Sequence, residues 1–321
     1  MLVPVILILV GFILLIWSAD LLVDNATTLA ERLGVSTFLI GVLIIGFGTS
    51  APELFVSAMA AIENKGNLAL GNALGSNITN IGLVLGTAAL IKQLDVARET
   101  AAKEIPIIIL TGVISVALII DGHLSHTDGF VLLVILASYL IWTSKKQSPD
   151  ALTQQLHEQR IATDVSAKAK STQVAFLLTA LSIVLLVAAS RMLVYGSVAI
   201  ATYFNINELV IGLTIVAIGT SLPELAAAIA AARKGAHEMI IGNIIGSNIF
   251  NILGVLGITG VIRATRIDVD AISRDFPIMF FFSILMLMFA LTKGRLSRPE
   301  GALLLIAYVV YVCYLVVSTL Q

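Results

Sequence analysis

The sequence predicts an all-α membrane protein: ten transmembrane helices arranged as two inverted-topology five-helix repeats. Three observations carry this. Of 321 residues, 58% are hydrophobic and only 12% charged, too few polar groups to cover a water-soluble chain of this size. Several apolar stretches reach the roughly 20 residues that cross a bilayer as a helix. The two halves of the chain also repeat one another at a fixed offset, and such repetition fixes architecture before any residue-level reading.

In chain order the spans fall at roughly 2–24, 37–61, 68–91, 104–121, 127–144, 173–196, 208–232, 239–262, 276–292 and 300–318. Residues 145–172, rich in Gln, Ser, Lys and Asp, are expected to link a first repeat at 1–144 to a second at 173–321. No positively charged stretch precedes the first apolar run, so no cleaved signal peptide is expected. The first and sixth helices read on past Asp20 to about Arg32 and to about Tyr203. Some 30 residues at ~1.5 Å each exceed the ~30 Å hydrocarbon core, so this pair must tilt or project. With the N-terminus outside, Lys65, Arg191, Arg263, Arg266 and Arg274 are the outside basic residues, and the other 14 of the 19 lie inside. The positive-inside bias then sets both termini outside and the linker in the cytoplasm.

The repeat is explicit. Adding 171 carries Glu53 to Glu224, Gly71 to Gly242, Ser76 to Ser247, Asn80 to Asn251 and Pro106 to Pro277; later the shift becomes 172, and Tyr139 answers Tyr311. Five spans is an odd number, so the second copy enters the membrane from the opposite side. Folds of that kind place an ion site near the midplane, where the broken elements of the two halves meet. This is the architecture of a secondary transporter.

The chemistry sits in Gly48-Thr49-Ser50-Ala51-Pro52-Glu53 and its copy Gly219-Thr220-Ser221-Leu222-Pro223-Glu224. A charge at bilayer depth costs at least ~2.5 kcal/mol, so an intramembrane acid marks function by default. Proline has no amide proton, so Pro52 and Pro223 are expected to leave the carbonyls of Gly48 and Gly219 unpaired. Helical spacing lines Thr49, Ser50, Glu53 and Ser57 along one stripe, repeated as Thr220, Ser221 and Glu224 with Ala228 in place of Ser57. The next helices present Asn72, Ser76 and Asn80 on one face, and Asn243, Ser247 and Asn251 on the other copy's. Their glycines, Gly71/Gly75 and Gly242/Gly246, have the small-xxx-small spacing that lets backbones approach closely. Any one hydroxyl or amide alone would read as interhelical glue; a glutamate at matching positions in both halves does not.

Two carboxylates with hydroxyl, amide and carbonyl oxygens suit one Ca2+, which takes ~6–8 oxygens, and match two or more Na+ or protons equally well in charge. Mg2+ is less natural because it keeps its waters. One site with competing occupants is what an antiporter requires. The net charge of −1 gives no sign of nucleic acid, and the single Cys313 precludes an internal disulfide. His123, His126 and His237 fall in loops away from the glutamates, so no enzyme and no cofactor are expected.

The motif pair G-T-S-x-P-E and G-N-x-x-G-S-N-I-x-N, present twice, resembles the α-repeats of the calcium/cation antiporter superfamily, and specifically prokaryotic Na+/Ca2+ exchangers. The resemblance implies ten helices, both termini outside in the prokaryotic cytoplasmic (inner) membrane, and a functional monomer. It also implies exchange of extracellular Na+ for cytoplasmic Ca2+ by alternating access, with the first and sixth helices sliding against the other eight. Glu53 and Glu224 would be shared carboxylates, with the carbonyls of Thr49 and Thr220 completing the Ca2+ shell. Na+ would use the hydroxyls of Thr49, Ser50, Ser76, Thr220, Ser221 and Ser247 and the carbonyls of Gly46 and Ala217, with Asn80 and Asn251 at the middle. Some relatives carry Asp at the Asn251 position, so this chain has one titratable group fewer. The alternative is an H+- or K+-dependent Ca2+/cation exchanger of the same fold. The proton-coupled branch has Asn-Pro-x-Glu in place of Thr-Ser-x-Pro-Glu, which argues against H+.

Overall fold

In a computed structural model, the structure describes residues 2–145, 171–204, 217–268 and 271–320. The first half runs α1 (Leu2–Leu33), α2 (Thr37–Thr49), α3 (Ala51–Ile62), α4 (Gly66–Ile91), strand β1 (Leu94–Asp95), α5 (Thr100–Ile119), β2 (His123–Leu124) and α6 (His126–Ser144). The second runs α7 (Thr172–Tyr203), α8 (Ala217–Thr220), α9 (Leu222–Lys234), α10 (His237–Ile262), β3 (Thr265–Arg266), α11 (Ile272–Lys293), β4 (Arg295–Leu296) and α12 (Arg298–Leu320). Eight of these helices are each long and apolar enough to cross a membrane, and α2 with α3 makes a ninth, bent by 43°. The span expected at 208–232 lies partly outside the described residues; its described part is α8 and α9. The linker expected at 145–172 also lies almost wholly outside them.

Apolar content sorts the helices into layers. The 18-residue apolar windows of α4 and α10 are 72% and 89% buried, against 22% for α1 and α6, so α4 and α10 form the centre. The outer helices turn Phe12, Trp17, Phe130, Phe176 and Ile306 outward, a surface that suits lipid rather than water. Inside the bundle, small residues set the approach distances. A Cβ on Gly246 would lie 2.7 Å from the carbonyl oxygen of Val42, and one on Gly41 2.6 Å from that of Met239, so α2 and α10 cross backbone to backbone. The positions that the offset sets against Gly71 and Gly75, Leu209 and Leu213, lie outside the described residues. The long pair α1 and α7 is antiparallel, with Gly11 against Ala189 and Leu193, and Gly196 against Pro4 and Ile8.

Two short strand pairings tie one half to the other. Leu94 of β1 faces Leu296 of β4, and His123 of β2 faces Arg266 of β3, both antiparallel. The repeat offset carries β1 onto β3 and β2 onto β4, so the two pairings exchange under it. They mark two opposite faces of the bundle, about 30 Å apart along the 20 residues of α5 at ~1.5 Å per residue.

Candidate cation site

The site begins with the two helix breaks. Ser50 (φ −86°, ψ 2°) interrupts α2 and α3, and Ser221 (φ −91°, ψ 6°) interrupts α8 and α9, each with proline in the turn that follows. Both serines occupy the bridge region between helix and extended backbone, where active-site residues concentrate. Each break aims a glutamate inward: Glu53 and Glu224 are both only 1% exposed.

The halves interlock around them. The Ser50 hydroxyl donates to Glu224 Oε1 at 3.2 Å, joining the first half's break to the second half's acid. Thr49 Oγ1 donates to the Ile45 carbonyl (2.9 Å), stands 3.5 Å from Asn243 Oδ1 and also reaches Glu224. Ser247 donates to the Gly46 carbonyl at 3.4 Å. Asn72 donates to Ser57 Oγ (3.0 Å) and to the Glu53 carbonyl (3.4 Å). At the centre, Asn77 Nδ2 donates to the carbonyl of Asn248, its own repeat counterpart, at 3.2 Å, and Asn80 Nδ2 to Asn248 Oδ1 at 3.4 Å.

Of the residues expected at the site, Glu53, Glu224, Thr49, Ser50, Ser76, Ser221, Ser247, Asn80 and Asn251 are all buried. Ala217 opens α8 and Thr220, half-buried, closes it. Among the described residues, Glu53 Oε2, Glu224 Oε2, Asn80 Oδ1, Ser221 Oγ and both amide atoms of Asn251 are buried with no hydrogen-bond partner. A buried polar atom left unpaired costs about 1–3 kcal/mol, more when charged. Orphaned oxygens from both halves beside two buried carboxyl groups are of the type that could hold a hard cation.

One expectation is corrected. Pro223 does free the Gly219 carbonyl, but that oxygen is not left unpaired: the hydroxyl of Ser190 on α7 donates to it at 2.7 Å. Ala19 holds the mirrored position on α1 and carries no hydroxyl, so the capping is one-sided. The motif carried Asn77 and Asn248, but their role as a cross-repeat tie was not readable from it. Their signal was the shared 171-residue offset.

Comparison with known proteins agrees with the geometry. A family profile described as "Sodium/calcium exchanger protein" matches residues 3–145 and 174–317. The chain belongs to the sodium/calcium exchanger protein family. The exchanger is 42% identical to "Putative antiporter CaxA" of Alkalimonas amylolytica, over 97% of this chain and 98% of that one. It is 40% identical to "Inner membrane protein YrbG" of Escherichia coli strain K12, over 98% and 97%. Its fold matches the solved structure of the sodium-calcium exchanger NCX_Mj soaked with 10 mM Na+ and 10 mM Sr2+, with a TM-score of 0.84 and 31% identity over 97% and 98% of the two chains. This exchanger is therefore a transmembrane cation antiporter of the sodium/calcium class.

Proposed function

We propose that this exchanger moves Na+ inward and Ca2+ outward by alternating access, both ions using in turn one midplane cage held by Glu53 and Glu224. The observation that carries the reading is the Ser50–Glu224 contact between the two breaks, set among buried oxygens that lack partners. On this reading Ca2+ takes both carboxylates with the carbonyls of Thr49 and Thr220. Na+ ions take the hydroxyls of Thr49, Ser50, Ser76, Thr220, Ser221 and Ser247 and the carbonyls of Gly46 and Ala217, with Asn80 and Asn251 between them. The ions are substrates.

The proposed frame is ten spans in two inverted repeats, with both termini outside the cytoplasmic membrane. Two things support it. The strand pairings exchange under the repeat, and Asn77 touches its own counterpart Asn248, as residues do near a pseudo-two-fold axis. An empty, doubly charged cage resists crossing an apolar barrier, which keeps exchange coupled. The test is Ca2+ uptake into proteoliposomes driven by a Na+ gradient, beside uptake driven by a pH or K+ gradient alone. Uptake with Na+ only is the expected result; uptake with the pH gradient alone would transfer the assignment to a proton-coupled exchanger.

A further inference from the structure

The last turn of α9 carries a contact that the ion cage does not use. Lys234 Nζ lies 2.8 Å from Asp24 Oδ1 and 3.9 Å from Asp20 Oδ1, and donates to the Asp20 carbonyl at 2.8 Å. It thereby clamps α1 to the end of α9 on the face marked by β1 and β4, where the neighbouring His237 ring accepts from the amide of Asp95.

The repeat offset converts this cluster into another. Asp20 maps to Arg191, Asp24 to Tyr195 and Lys234 to Glu63. Every charge in the mirrored cluster is inverted or replaced, and the signs stay complementary: an acid after α3 corresponds to the lysine at the α9 end, and an arginine and a phenol on α7 correspond to the two acids on α1. Among the described residues the mirrored cluster shows no such ion pair. Glu63 is held by Lys65 at 2.8 Å, while Arg191 and Tyr195 line a cavity of about 470 Å³ together with Leu7, Met192, Val194 and Val198. Glu63 lies on the other face, beside Asn67, whose side chain accepts from the amide of Asp268 after β3.

In inverted-repeat transporters the second conformation is the first with the two halves exchanging roles. Applied here, the state that opens the β1/β4 face is the one in which Glu63 leaves Lys65 for Arg191 and Tyr195, while Lys234 releases Asp20 and Asp24. We infer that Asp20, Asp24 and Lys234 on one face, and Arg191, Tyr195 and Glu63 on the other, are charge-inverted reciprocal latches that hold the α1–α7 pair at its two end positions. This rests on the alternating-access reading. The two clusters lie on opposite faces of the bundle, so neither latch can borrow the other's partner. Pairs this exposed command roughly two- to fivefold in a population, enough to bias a switch without freezing it.

The test uses the full chain with Cys313→Ser, reconstituted in liposomes, carrying either Asp20→Cys with Lys234→Cys or Glu63→Cys with Arg191→Cys, and a short flexible bis-maleimide. Each pair is expected to cross-link under ionic conditions in which the other does not, and each cross-link to arrest exchange. A Glu63/Arg191 pair that fails to cross-link under any ratio of Na+ to Ca2+, while the Asp20/Lys234 pair does so, overturns the outer latch. Simultaneous cross-linking of both pairs in one doubly engineered chain overturns reciprocity. A second arm avoids cysteine: Glu63→Lys and Arg191→Glu singly change the exchange rate about two- to fivefold, and together restore it. Additive losses in the double variant would reject the pairing. If the unaltered chain shows no Na+-driven Ca2+ flux, the proposed function falls, and the cross-linking pattern still decides the latch.

Discussion

At Glu53 and Glu224 a buried charge meets a helix break, and the functional consequences follow from that coincidence. Each acid follows a serine in bridge-region geometry and a proline, so the backbone turns it inward while loosening the carbonyls beside it. Glu53→Gln or Glu224→Gln removes a full charge at nearly constant volume. Na+-driven Ca2+ flux is expected to vanish in either variant, with monodisperse elution in detergent retained. Wild-type flux in either one would remove the site assignment. On the proposed reading Ca2+ binds the ionised carboxylates, so protons compete with it: as pH falls, the Ca2+ concentration for half-maximal flux is expected to rise, by up to about tenfold per pH unit where one proton is displaced per ion. A half-saturation unchanged between pH 8 and pH 6 would contradict carboxylate ligation. Ser190→Ala leaves the Gly219 carbonyl unpaired next to the second break. A loss of roughly 0.6–2 kcal/mol in thermal stability is expected, measured by unfolding in detergent, whereas Ala19→Ser at the mirrored position has no such bond to restore.

The helices owe their positions to small side chains more than to large ones. Between α2 and α10 the glycines Gly41, Gly242 and Gly246 leave no room for a Cβ against the carbonyls of Met239, Phe38 and Val42. Backbone atoms cannot rotate away as a side chain can. Gly246→Val is therefore expected to cost at least ~1–3 kcal/mol, visible as a lower melting temperature and as lost flux, because α2 carries Gly46 and Thr49 toward the cage. A melting temperature unchanged within error would mean that the two helices part more easily than their packing suggests. The wide π-type turns at Asn80–Leu85 and Phe250–Val255 belong to the same scale. They fall at corresponding places in α4 and α10, and such turns are frequent at functional sites. Here they begin at or beside Asn80 and Asn251.

At the scale of the molecule, contacts between the halves outnumber any covalent need for the linker. The pairings β1–β4 and β2–β3, the antiparallel α1–α7 seam and the Asn77–Asn248 bond all cross from one half to the other. A protease site inserted within 145–172 is expected to yield two fragments that co-elute and retain Ca2+ exchange after cleavage; separation of the fragments would show that the linker holds the assembly. Cleavage from the cytoplasmic side of oriented vesicles, and not from the other, would also support the orientation read from Lys and Arg.

Much of this was legible in the chain. Composition forced a membrane protein, because 12% charged residues cannot solvate such a length. The repeated Thr-Ser-x-Pro-Glu motif exposed the two acids, because a charge and a proline inside apolar runs are each too costly to be incidental. Tertiary structure decided what an offset cannot: that Ser50 of one half binds Glu224 of the other, that Ser190 donates to the Gly219 carbonyl, and that Lys234 clamps α1 on one face while Arg191 lines a cavity on the other. A repeat fixes which residues correspond, since correspondence is a property of spacing along the chain. Contact depends on how far each helix is tilted and slid against its neighbours, and that is set by the packing of the whole bundle.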